Sequence, residues 1–272
     1  MRIIAPRLHI IFAENLASAV ILRRGPTRHV ATFGWNVASN EIKLGQWFYG
    51  RIYEHRSSLS PDGKYFLYAA MNCKWESETG GIWAAVSKAP YIKAIELYTE
   101  VPEMGGGGLF VSETEYVLNE IFFNPSRFLF KSSEVTCLSK EDEHCMYGVK
   151  GVYIERLLRL GWKYEKRIEH EKRHTTIVFS KILSEGKVLY KGLVSKYPAK
   201  KTEWEEHTII YNEKVVFYTD EWECGDAING NIYFTKSGQL KYIDLTSECG
   251  NLNEHLIHDF NNYKFQANEA PY

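Results

Sequence analysis

Ser60-Pro61-Asp62-Gly63-Lys64, followed by Tyr65-Phe66-Leu67-Tyr68-Ala69-Ala70, is the stretch on which the fold turns. Proline presets φ at its own position, and Asp-Gly supplies a side-chain acceptor and a residue that tolerates positive φ. The first five residues therefore predict a tight turn. The next six are apolar without alternation, which fits an inner strand covered on both faces. A polar loop containing Gly80-Gly81 then leads into a second apolar run, Ile82-Trp83-Ala84-Ala85-Val86-Ser87.

The same grammar of short strand and turn extends outward in both directions. Residues 8–12 and 19–22 are apolar, Arg24-Gly25-Pro26 turns the chain, residues 29–35 alternate, and 42–47 close at Gly50. That is a meander of four short strands. Downstream, residues 91–98 read as a strand, and the glycines 105–108 precede strand material at 109–112 and 115–118. Ser184-Glu185-Gly186-Lys187 turns into Val188-Leu189-Tyr190, and Asn212-Glu213-Lys214 turns into Val215-Val216-Phe217-Tyr218. Gly230-Asn231-Ile232-Tyr233-Phe234, a Lys236-Ser237-Gly238 turn and residues 240–245 complete the pattern. One segment departs from it. Residues 152–160 carry apolar side chains at helical spacing with Gly161 as a C-cap, which predicts one short helix. The charged run 163–173 balances its signs and either extends that helix or forms a solvated strand pair.

The Ser60 to Lys64 turn, with Gly81-Ile82-Trp83 and Gly230-Asn231-Ile232-Tyr233 as openings of later strands, resembles the propeller repeats whose blades carry Ser-Pro-Asp-Gly turns. The resemblance implies an all-β, β-propeller-like array in a single domain over residues 1–272. At about 40–45 residues per blade it has about five or six blades. Radial repetition leaves few exposed sheet edges. A β-sandwich satisfies many of the same signals and is the alternative. The segment from Gly45-Gln46-Trp47 through Gly50-Arg51-Ile52-Tyr53 to Gly63 also resembles a bacterial family without assigned function.

Composition bounds the rest. A chain of 272 residues with 44% hydrophobic and 25% charged residues buries a core without metals or disulfides. Lys and Arg total 33 against 34 Asp and Glu, so the basic excess typical of nucleic-acid binders is missing. Arg23, Arg24 and Arg28 read as a solvated face. Arg7 and His9 interrupt the apolar N-terminal run, which argues against a signal peptide. No run reaches the roughly 18 apolar residues of a membrane span. Five scattered cysteines (Cys73, Cys137, Cys145, Cys224, Cys249) then read as reduced thiols in a cytoplasm.

Candidate chemistry is sparse. Arg51-Ile52-Tyr53-Glu54-His55-Arg56 is the densest group of ionisable residues in a strand-like context. On a strand, Arg51, Tyr53 and His55 share one face. His55 is a candidate general base with Glu54 or Asp62 nearby, and an inter-blade ionic network is the bland alternative. The glycines 105–108 lead into a strand rather than a Gly-Lys-Ser/Thr helix start, so they read as a close crossing or a loop, not a phosphate cradle. His144, Cys145, Asp142 and Cys137, and the pair His255 and His258 on a short terminal helix, lack the spacing of metal sites. No cofactor is expected. No nucleophile elbow occurs. Trp75 and Trp204, set among charged neighbours, are the expected partner-binding residues. The reading is a non-catalytic cytoplasmic module that binds another protein, of a bacterial regulatory or immunity kind. The rival is a hydrolase built on Arg51, Glu54, His55 and Asp62.

Overall fold

A computed structural model describes residues 4–99, 101, 105–119, 127–138, 150–171, 173–198, 202–245 and 252–272. The chain divides into two compact units, Met1–Arg156 with Tyr263–Tyr272, and Leu157–Asn262.

In the first unit, β1 (Arg7–Phe12), β2 (Ser18–Arg24), β3 (His29–Asn36) and β4 (Glu41–Tyr49) form an antiparallel meander in chain order. A six-stranded antiparallel sheet follows from β5 (Arg51–Ile52), β6 (Ser58–Leu59), β7 (Tyr65–Met71), β8 (Ile82–Lys88) and β9 (Ala94–Tyr98), with its sixth strand supplied later in the chain. A third sheet contains β10 (Gly108–Phe110) and β11 (Glu115–Leu118). β12 (Phe128–Phe130) returns to pair with β9, whereas β13 (Thr136–Cys137) joins β11 through a two-residue parallel pairing. The helix α1 (Gly151–Arg159) follows.

In the second unit, β14 (Lys163–His170), β15 (His174–Ser184), β16 (Lys187–Lys196), β17 (Glu203–Tyr211) and β18 (Lys214–Thr219) make a five-stranded antiparallel meander. β19 (Cys224–Ile228), β20 (Asn231–Lys236), β21 (Gln239–Asp244) and β22 (Glu254–Asp259) make another of four. Among the described residues the protein is therefore nearly all-β, with α1 and one 3₁₀ turn, and its sheets, antiparallel but for the β11–β13 pairing, succeed one another along the chain as propeller blades do. The described residues form five sheets.

The deciding stretch folds as its residues require. The Ser60 hydroxyl donates to Asp62 Oδ1 at 2.5 Å, Lys64 N donates to the same oxygen at 3.0 Å, and Gly63 N donates to Ser60 O at 2.8 Å. Gly63 sits at φ +75°, and a Cβ there would lie 2.0 Å from Ser18 Oγ, so only glycine fits. In β7, residues 65–70 are all buried. Phe66, Tyr68 and Ala70 pack into one core with Ile11, Val20 and Trp83, while Tyr65 and Leu67 pack into another with Val86, Tyr98 and Tyr116. A strand serving two cores needs apolar residues on both faces, and each large side chain so buried contributes about 1.5–3 kcal/mol.

The helix ends as its sequence predicts. Trp162 N donates to Leu157 O and Gly161 N to Leu158 O, both at 3.0 Å, with Gly161 at φ +84°. This paired closure satisfies the last carbonyls of the helix. Residues 163–170 form β14, the solvated strand of the two readings, paired with β15.

Candidate functional site

The ionisable stretch at 51–56 is not one strand. β5 stops at Ile52, and Glu54–Arg56 forms a single 3₁₀ turn, so the alternation that would place Arg51, Tyr53 and His55 on one face is lost. The turn is fixed from several sides. Tyr53 N donates to Ala69 O at 2.9 Å, the Ser57 hydroxyl donates to Tyr53 O at 2.8 Å, and the buried Arg56 guanidinium donates to Gly105 O at 2.9 Å. Arg51 and Arg56 each lie over the Tyr53 ring, at 4.8 and 4.4 Å from its centre.

This turn carries His55 to α1. Its imidazole stacks on Tyr153 with ring centres 4.4 Å apart and planes within 8°. The buried His9 of β1 stands edge-on to both rings, 5.3 Å from His55 and 5.6 Å from Tyr153. Arg156, one helical turn on from Tyr153, donates to Glu54 O at 3.0 Å and Ser57 O at 2.9 Å. Glu54 itself pairs with Arg24 across 3.5 Å. Burial alone would raise its carboxyl, but Arg24, His55, His9 and Arg51 together outweigh burial and hold it down at about 2. So low a value keeps Glu54 ionised and makes it a weak base at neutral pH. Asp62 is not part of this group: its carboxylate is engaged by Ser60 and Lys64 within the turn that precedes β7.

The glycine run beside this turn is a close crossing. Gly107 has φ +70°, and a Cβ on it would fall 1.8 Å from the carbonyl oxygen of Arg56. Gly106 N donates to Asn119 O, so that amide is used within the fold rather than turned to an anion.

The arginine triplet differs from expectation. Arg23 is buried, lies 5.4 Å over Trp47 and donates to Gly25 O and Tyr263 O, while Arg24 pairs with Glu54. Arg23 is an internal tie rather than part of a solvated face, because aromatic and carbonyl partners replace its water, and Arg24 is half-buried against a carboxylate.

Trp75 lies on the loop between β7 and β8 and is 56% exposed. The loop is held by short-range bonds: Lys74 N to Asn72 Oδ1 at 2.9 Å, the Ser77 hydroxyl to Lys74 O at 2.6 Å, and Cys73 N to Gly81 O at 3.2 Å. Gly81, at φ +78°, leaves room for the indole, whose ring would be 2.8 Å from any Cβ there. Trp204 is half-buried on β17, with Nε1 donating to Glu206 Oε1 at 3.0 Å.

The second unit holds an ionic group that the sequence reading passed over. Lys191 and His207 are cross-strand partners on β16 and β17, and each approaches Glu205 Oε2, at 3.3 and 3.2 Å. All three are buried. Nearby, Asp226 of β19 takes Lys181 Nζ at 2.8 Å and Trp162 Nε1 at 3.0 Å, and Lys191 lies 4.8 Å over the same indole. Two lysines balance two carboxylates. Burial lowers the His207 imidazole, against the pull of Glu205, and so favours its neutral form. The signal in the sequence is the spacing Glu205, His207, Ile209, which places two ionisable groups on the buried face of a strand that also carries apolar residues.

For metals, the pair His255 and His258 lies on the strand β22 rather than a helix, with His255 stacked on Tyr242 at 4.9 Å. Among the described residues no three His, Cys, Asp or Glu side chains gather to hold an ion. Asp142, His144 and Cys145 lie outside the described residues. Among the described residues, no helix is long and apolar enough to cross a membrane.

No protein-family model matches the chain, and no curated protein matches it. Among solved structures it is similar to an uncharacterised protein of Listeria monocytogenes EGD-e, at 10% identity over 96% of this chain and 85% of that one, with a TM-score of 0.32. It is also similar to one of two prolyl endopeptidases, at 9% identity and TM-score 0.28, spanning 93% of this chain but only 42% of the endopeptidase. The WD40 domain of SCAP from fission yeast is similar at 9% identity over 94% of this chain and 56% of that one, with a TM-score of 0.24. These likenesses are distant, and neither fold nor function rests on them.

Proposed function

We propose that this chain is a non-catalytic protein-interaction module, acting in a cytoplasm in a regulatory or immunity role, with Trp75 as an anchor for a partner protein. The observation that carries the reading is the indole at 56% exposure on a loop braced by its own hydrogen bonds. An aromatic anchor already held in place loses little entropy on binding, and such residues dominate interface energies. Trp204, half-buried and tied to Glu206, is a secondary contact in this proposal.

The rival hydrolase needs Arg51, Glu54, His55 and Asp62 in one site. The strongly acidic Glu54 paired with Arg24, and the engagement of Asp62 within its turn, favour an ionic tie instead. The test compares Trp75→Ala, Trp204→Ala and His55→Ala for thermal stability and for binding to the partner recovered from the native host. Trp75→Ala is expected to melt like the wild type and lose the partner. A His55→Ala protein that melts like the wild type yet loses the biological effect, while Trp75→Ala keeps it, would establish the hydrolase reading instead.

A further inference from the structure

Residues 263–272 have no regular secondary structure and lie along the first unit as a strap. Tyr263 packs edge-on to Phe33 at 4.8 Å, and its carbonyl accepts from Arg23 at 3.2 Å. Asn268 is tied to β4 twice: its carbonyl accepts from Gln46 Nε2 at 3.2 Å, and its side-chain amide donates to Gly45 O. The Tyr272 hydroxyl donates to Lys93 O at 2.6 Å and accepts from Lys88 N at 3.0 Å. Between these anchors the strap and β4 bound a cavity of about 370 Å³, lined by Trp47, Phe265, Gln266, Ala267, Asn268 and Glu269. Small-molecule sites span about 300–1,000 Å³.

The lining is mixed. Trp47 and Phe265 form an aromatic corner, with ring centres 6.1 Å apart and planes at 62°, and Phe265 is 59% exposed. Gln266 and Glu269 are exposed too, and among the described residues neither side chain has a hydrogen-bond or ionic partner. Two buried polar atoms of the lining residues are also unpaired: Trp47 Nε1, a donor, and Asn268 Oδ1, an acceptor. Folds seldom leave such atoms unpaired, and two among the lining residues of one cavity mark a place where a ligand completes the pairing.

The balance of donors and acceptors selects that ligand. An anion is repelled by the Glu269 carboxylate and by the open acceptor of Asn268. An ammonium cannot accept from Trp47 Nε1, and the Arg23 guanidinium, 5.4 Å over the Trp47 ring, already holds a cation position there. An apolar ligand leaves all of these polar groups unpaired. A hydroxyl both donates and accepts, so a neutral ligand with several hydroxyls serves the indole, both amides and the carboxylate, while its C–H face packs on the aromatic corner. We propose that the strap and β4 form a binding site for a neutral sugar ring. The inference is independent of Trp75, which lies on the loop between β7 and β8.

Saturation-transfer NMR of the full chain, titrated with glucose, galactose, mannose and xylose, tests it. The expected result is saturable binding of at least one of these sugars with a Kd of about 1 mM. Phe265→Ala and Glu269→Ala, both at exposed positions, are each expected to weaken it about tenfold without a change in the thermal melt. Trp47→Phe keeps a ring beneath Arg23 but deletes the Nε1 donor, and is expected to weaken it about fivefold. Tetramethylammonium chloride and sodium acetate, the charged controls, are expected not to saturate. Failure of every sugar to saturate up to about 50 mM overturns the proposal. So does sugar binding indifferent to Phe265→Ala and Glu269→Ala, or a charged control that binds more tightly than the sugars.

Discussion

Replacing Glu54 by glutamine removes one charge at the centre of the knot formed by Arg24, Arg51, His9 and His55, and leaves the shape of the side chain almost intact. The folded carboxyl titrates at about 2 against an ordinary value of 4.5. Each tenfold change in proton affinity corresponds to about 1.4 kcal/mol, so the ionised form contributes about 3 kcal/mol to folding. Glu54 keeps 22% side-chain exposure, and solvent screening brings the expectation to about 2 kcal/mol. Because the folded value is the lower one, this stabilisation is complete above about pH 4.5 and disappears as the pH falls towards about 2. Urea unfolding of wild type and Glu54→Gln over that span is the assay. The two should differ by about 2 kcal/mol near pH 7 and converge in acid. A difference that stays constant with pH, or one below about 0.5 kcal/mol at neutrality, would refute the ionic tie.

Other substitutions probe the remaining features. Gly107→Ala drives a methyl group into the Arg56 carbonyl from a backbone at φ +70°, and a thermal melt should show a loss of about 3 kcal/mol or more. Lys191→Met strands the buried Glu205 and should reduce stability by about 3–5 kcal/mol in denaturant titration, whereas Lys163→Met on the exposed β14 should change it by less than about 0.5 kcal/mol. Timed alkylation followed by peptide mass spectrometry should find Cys73, which is exposed, modified well before Cys137, whose thiol burial pushes up, and before the buried Cys224.

Much of the architecture was legible because it rests on local chemistry. Ser-Pro-Asp-Gly can make few structures other than its turn, and the unbroken apolar run of β7 has no stable place except between two cores. The helix and its Gly161 closure follow from spacing and from one residue that tolerates positive φ. The candidate site was legible only as a list of residues. Nothing local to residues 51–56 says that the strand stops at Ile52: that is decided by Gly105, Ala69 and Arg156, far along the chain, which supply and accept the hydrogen bonds of the turn. The contact of His55 with Tyr153 and His9, and the pairing of Glu54 with Arg24, have the same long-range origin. Lys191, Glu205, His207 and Asp226 show the point most plainly. The spacing of Glu205 and His207 with Ile209 hints at a buried face, but only tertiary packing removes the water from all four and makes them partners. Local backbone preference, carried by turns and periodicity, is thus written in the sequence, while the ionisation and partnership of side chains depend on which distant residues exclude solvent from them.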